Sequence, residues 1–128
     1  MKNIKVSAIV RDKDGKFLLQ ERDDEPYVGK RCLFWWGLEE GETIEETCRR
    51  EIYEEINYVI KDLEFFRTYP KKDNIDNPIF VVQDFVSLNQ LELHEGSDMR
   101  FFSIDEFETI EFAFHHKEIL ADYLKSIA

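Results

Sequence analysis

Much of what would mark a secreted, membrane or nucleic-acid-binding protein is scarce in this sequence. Two cysteines, Cys32 and Cys48, are too few for a disulfide framework. Five glycines and three prolines lie scattered, so nothing marks a linker, repeat or domain boundary. Three histidines, His94, His115 and His116, lack the cysteine partners and spacing of a zinc site. Positive charge is short as well: 17 Lys and Arg stand against 28 Asp and Glu, a net charge of −11. That balance argues against a nucleic-acid partner and against an anionic membrane surface. No apolar run approaches the roughly 20 residues of a membrane span. The N-terminus is too interrupted for a signal peptide. The expectation is a single domain over residues 1–128, cytoplasmic, a monomer or a homodimer.

Apolar and aromatic residues are plentiful, at 43% and 14% of the chain, enough for one core. Residues 4–10 and 16–22 read as a hairpin around Asp12-Lys13-Asp14-Gly15. Residues 63–69 and 79–86 are rich in Phe, Val and Ile and read as strands, with a loop over 71–77 between them. A short strand is expected at 100–103. Phe65, Phe66, Phe80, Phe85, Phe101 and Phe102 are expected in the sheet core. Apolar spacing predicts a terminal helix over about 114–127.

The best-marked element is a helix over about 44–56. Thr43 and Glu46 have capping-box spacing, and glutamates in the first turn suit the helix dipole. Ile44, Cys48, Ile52 and Ile56 form an apolar stripe that assigns Cys48 to packing. Asn57 can take the left-handed conformation that ends a helix. Cys32 is left without a role.

Residues 39–55 hold eight glutamates against Arg49 and Arg50 alone. Glu51, Glu54 and Glu55 share one third of the helix circumference. Each like-charge pair at i,i+3 or i,i+4 costs roughly 0.2–0.5 kcal/mol. The glutamates form either a solvated acidic face or a site for a hard divalent cation such as Mg²⁺ or Mn²⁺. The second alternative would let an acidic protein act on an anionic small molecule. An EF-hand loop, which a Ca²⁺ reading would require, is missing.

From Glu42 the order is seven residues, then Arg50-Glu51-Ile52-Tyr53-Glu54-Glu55-Ile56-Asn57-Tyr58. This resembles the Nudix box, and Leu38-Glu39-Glu40-Gly41-Glu42-Thr43 resembles the family's usual entry to the helix. The resemblance implies an α/β/α sandwich with a mixed curved sheet. It implies hydrolysis of a nucleoside diphosphate derivative with Mg²⁺ or Mn²⁺, through Glu51, Glu54 and Glu55 as metal ligands. Arg50 and Glu42 then form an internal pair, beside Gly41 in the entry loop. A distant loop carboxylate often joins the site in MutT-type members. Glu95 is the candidate, Asp98 the second, with an ordinary charged loop as the alternative.

Nucleoside triphosphates stand first as substrate, nucleotide sugars or ADP-ribose second. A weakened ligand sensor or interaction module is the alternative from another class. Two departures from the box stand out. Asn57 replaces the closing Gly, and Trp36 replaces the opening Gly, with Trp35 before it and Gly37 after. Either Trp could stack on a nucleobase or cover core. His116 could touch a base, as residues before the terminal helix do in MutT-type relatives, or simply sit exposed at a helix start.

Overall fold

The computed structural model describes residues 3–87 and 98–128. Strand β1 (Asn3–Arg11) turns at Asp12–Lys16 into β2 (Phe17–Glu21), and Asp12 Oδ1 accepts the Asp14 and Lys16 amides at 3.0 and 2.8 Å. Two short strands follow, β3 (Arg31–Cys32) and β4 (Trp36–Gly37). Helix α1 (Ile44–Ile56) precedes a long hairpin of β5 (Leu63–Lys71) and β6 (Ile75–Phe85). The chain ends with β7 (Met99–Phe102), a 3₁₀ helix (Ile104–Thr109) and α2 (His116–Ile127).

The seven strands make one mixed sheet in the order β3-β2-β1-β6-β5, with β4 on β1 and β7 on β2. The β1–β6 pair is parallel and the other pairs are antiparallel. Strand alternation divides the core between two faces. Val6, Ala8, Val10, Leu18, Phe80 and Val82 meet Cys48, Ile52 and Ile56 of α1. Ile9, Phe17, Leu19, Ile79 and Val81 meet Phe107 of the 3₁₀ helix and Ile119, Leu120 and Tyr123 of α2. The protein is therefore an α/β/α sandwich, with three helices on a mixed sheet.

Helix α1 runs over the range read from the sequence. Thr43 Oγ1 accepts the Glu46 amide at 3.1 Å, and Glu46 Oε1 accepts the Thr43 amide at 2.8 Å. Asn57 closes the helix at φ 55°, ψ 38°, its N–H bonded to Tyr53 O.

Elsewhere the sequence reading needs correction. The loop expected over 71–77 is only three residues, Lys72–Asn74, because Asp73 and Asn74 both take positive φ, at 62° and 60°. Short polar side chains tolerate that conformation and tighten the turn. The terminal helix starts two residues later than expected, since Phe114 and His115 are left-handed, at φ 57° and 61°. Phe65 and Phe85 are more than half exposed rather than core, Phe65 on the edge strand β5. The 3₁₀ helix had no counterpart in the sequence reading; it completes the α2 face through Phe107.

Candidate active site

The loop into α1 is built around Gly41. The Glu42 amide bonds Glu39 O at 3.1 Å, and Gly41 has φ 84°. That conformation strains any residue with a Cβ. The turn delivers the Glu42 carboxylate to the side of α1. There it accepts Thr47 Oγ1 at 2.8 Å and two guanidinium nitrogens of Arg50, Nε at 2.7 Å and Nη2 at 3.0 Å. These partners, Arg50 first, hold the Glu42 carboxyl below the usual carboxylate range.

Arg50 also reaches forward. Its Nη1 lies 2.7 Å from Glu51 Oε1 and 2.9 Å from Glu54 Oε1. One nitrogen is thus shared by two carboxylates. Burial, with Glu54 beside it, lifts the Glu51 carboxyl to about 7 even though Arg50 pulls the other way. Two carboxylates compete for one positive charge, and one of them takes up a proton near neutrality. Glu55 is half-buried on the same helix. This donor set is all oxygen and rich in negative charge, which suits a hard divalent cation. Among the described residues, no three His, Cys, Asp or Glu side chains are already gathered as a ligand set.

Glu95 lies outside the described residues. Asp98, the second candidate, turns its carboxylate to Arg31, with Oδ2 3.3 Å from Nη2, and its carbonyl accepts Arg31 Nη1 at 3.1 Å.

The two tryptophans separate. Trp36 sits in β4 opposite Val6, 5% exposed, and stacks on Phe34 with centroids 4.6 Å apart. It is core, not a substrate contact. The extended strand also explains how Trp stands where Gly is usual: no positive φ is needed there. Gly37 pairs with Lys5 across the strands, and an added Cβ would meet only Lys5 Nζ, at 3.5 Å. Trp35 faces the other way, toward the start of α2. Its ring lies flat on Phe114, 3.9 Å between centroids and 6° between planes.

Arg22 covers Phe114 at 4.7 Å, and Tyr27 meets it edge-on at 5.1 Å. This aromatic group borders a cleft of about 560 Å³ that Lys5, Arg22, Asp73 and Ile75 also line. A smaller cleft of about 250 Å³, with Lys71 and His115, shares Trp35 and Phe114. Lys5, which lines the larger cleft, stands opposite Gly37 of β4.

His116 is neither exposed nor free to touch a base. It is fully buried, its Nδ1 accepts the Leu33 amide at 3.0 Å, and Nε2 lies 3.3 Å from Asn77 Oδ1. Burial, then the nearby charges of Lys71 and Arg22, depress its pKa well below the ordinary range. The sequence reading also missed Phe114, Arg22 and Asn77. The contacts that place them join residues 39 to 92 positions apart, beyond any local pattern.

A family model described as NUDIX domain matches residues 1–123. An ADP-ribose pyrophosphatase of Methanocaldococcus jannaschii is 32% identical over 127 residues, covering 95% of this chain and 73% of that protein. A MutT structure from Aliivibrio salmonicida and Vibrio cholerae work superposes at TM-score 0.82 and 19% identity, covering 98% of this chain and 99% of the other. The NUDIX domain of Shewanella oneidensis NrtR, complexed with ADP ribose, superposes at 0.81 and 19% identity, covering 100% and 90%. At those identities the two structures speak for the fold.

Proposed function

The chain belongs to the Nudix family of hydrolases, and from that premise we propose that it cleaves the diphosphate of ADP-ribose or a close nucleotide-sugar relative. The observation that carries this proposal is the likeness to the archaeal ADP-ribose pyrophosphatase. It moves ADP-ribose ahead of the nucleoside triphosphate that the sequence put first. A single domain over 1–128, a cytoplasmic location and a monomer or homodimer belong to the same proposal.

The residues divide the work as follows. Glu51, Glu54 and Glu55, with Glu95 from a distant part of the sequence, would hold Mg²⁺ or Mn²⁺. When bound, the cation supplies positive charge to the diphosphate and acidifies a water. Glu42 and Arg50 fix the helix and its entry loop to one another through a two-pronged ion pair. A carboxylate of the Glu51–Glu54 pair, which Arg50 holds side by side at 2.7 and 2.9 Å, would accept the proton of the attacking water. Trp35 offers a ring face to the base from the wall of the larger cleft.

The test is product identification with Mg²⁺ on a panel of ADP-ribose, nucleotide sugars and nucleoside triphosphates. Water added across the diphosphate of ADP-ribose gives AMP and ribose 5-phosphate, and these are the expected products. Faster conversion of a triphosphate to monophosphate and pyrophosphate would overturn the substrate assignment.

A further inference from the structure

Four polar side chains are buried among the described residues: Ser7, Thr47, Asn77 and His116. Thr47 serves Glu42. The other three form one continuous chain of hydrogen bonds. The Leu33 amide donates to His116 Nδ1, which puts the ring's proton on Nε2, facing Asn77 Oδ1. Asn77 Nδ2 donates to Lys5 O at 2.6 Å and to Ser7 Oγ at 3.0 Å. Ser7 Oγ donates to Phe34 O.

The chain ends on the Leu33 amide and on the Phe34 carbonyl, which belongs to the peptide leading into Trp35. The backbone explains why side chains are needed there. Arg31 still bonds the segment before α2, its amide to Glu111 O and its carbonyl from Ala113 N. Beyond Ala113 the left-handed Phe114 and His115 turn the chain away, and that backbone ladder stops. Side chains take over there: Leu33 meets His116 and Trp35 meets Phe114. The His116 ring also lies 5.7 Å from Trp35 and 5.5 Å from Phe114.

We propose that His116 is a positioning residue: through its bond to the Leu33 amide it holds Trp35 flat on Phe114, and so sets the ring face that meets the substrate base. The proposal rests on the assignment of Trp35 to the base wall. A buried, fully satisfied polar chain specifies one arrangement more sharply than apolar packing, because any other leaves a polar group unpaired. The neutral ring that the site imposes suits an acceptor at Nδ1.

Two amide variants separate positioning from bulk. In His116→Asn, the side-chain oxygen falls where Nδ1 was and keeps an acceptor for Leu33. In His116→Gln, the amide falls where Nε2 was, keeps a partner for Asn77 and loses Leu33. Acrylamide quenching is read in a Trp36→Phe background, where Trp35 is the only tryptophan of the two.

His116→Gln should raise quenching of Trp35 at least twofold and raise KM for ADP-ribose about fivefold, with kcat within twofold. His116→Asn should keep both near wild type. In a Trp35→Ala background, His116→Gln should change KM by less than twofold. Unchanged quenching in His116→Gln would overturn the proposal, and so would an equal KM rise with and without Trp35. Ser7→Ala, which removes the far link at Phe34, should loosen Trp35 in the same direction; it carries the quenching test if His116→Gln does not fold. If quenching responds as expected but Trp35→Ala alone leaves KM unchanged, the base-wall assignment fails while the hold on Trp35 stands.

Discussion

Helix α1 and the Trp35–Phe114 wall are assembled in opposite ways. Every device that shapes α1 is local. Its cap joins residues three apart, its stripe repeats every four, and Arg50 meets glutamates one, four and eight positions away. The wall joins residues 79 apart in Trp35 and Phe114, and 83 apart in Leu33 and His116. A local assembly tolerates change elsewhere in the chain but concentrates charge, which a bound cation would offset. A distal assembly spreads its cost over the core and is sensitive to packing several residues away. The two should therefore fail differently when broken.

The largest effect belongs to the local side. A chelator should abolish hydrolysis, and Mg²⁺ or Mn²⁺ should restore it. Glu54→Gln should lower kcat by about 10²-fold or more, the scale of removing a catalytic electrostatic element. Its metal-free melting temperature should hold, because Glu51 then keeps Arg50 to itself. Activity near wild type in that variant would return Glu54 to a solvated face.

The tryptophans break the wall side in two distinct ways. Trp36→Ala empties a buried site beside Phe34 and should cost about 3–5 kcal/mol of stability, read by denaturant titration. Trp35→Ala should leave the melting temperature nearly unchanged and raise KM for ADP-ribose roughly 5- to 150-fold, the worth of a base stack. A large stability loss in both variants, with no selective KM change in either, would make Trp35 core like its neighbour.

The same contrast governs what the sequence disclosed. The bounds of α1, its cap, the Asn57 terminus and the Glu42–Arg50 spacing are written within a few residues of one another. The strands over 4–10 and 79–86 are legible in the same local way. The wall is not, because Phe114 carries no mark of the left-handed backbone that turns it onto Trp35. His116 looks like a polar helix start, but the partners that satisfy it in the core, the Leu33 amide and Asn77 with Ser7 behind Asn77, are far away along the chain. Trp36 was ambiguous until β4 gave it a side of the sheet.

A smaller break sharpens the local side further. Thr43→Ala removes the acceptor of the Glu46 amide and half of the reciprocal cap, which should cost about 1 kcal/mol. Denaturant titration reads the loss. KM should stay unchanged, since the wall shares no bond with the cap.

The remaining effect is a pH dependence. In metal-free protein the Glu51 carboxyl titrates at about 7, against an ordinary 4.5. Between those values the folded protein holds a proton that the unfolded chain has released. Rising pH therefore removes stability across that window, and the loss is complete above about 7. Glu51→Gln has no proton to lose. In a chelator, its melting temperature minus that of wild type should be smallest below about pH 4.5 and grow until about pH 7. A divalent cation should reverse the trend, because it favours the ionised carboxylate that higher pH supplies. A difference that stays flat from pH 5 to 8 in the chelator would mean that Arg50 alone keeps Glu51 ionised. The acidic stretch would then need no cation to relieve it, and the strongest physical reason to place one beside α1 would be gone.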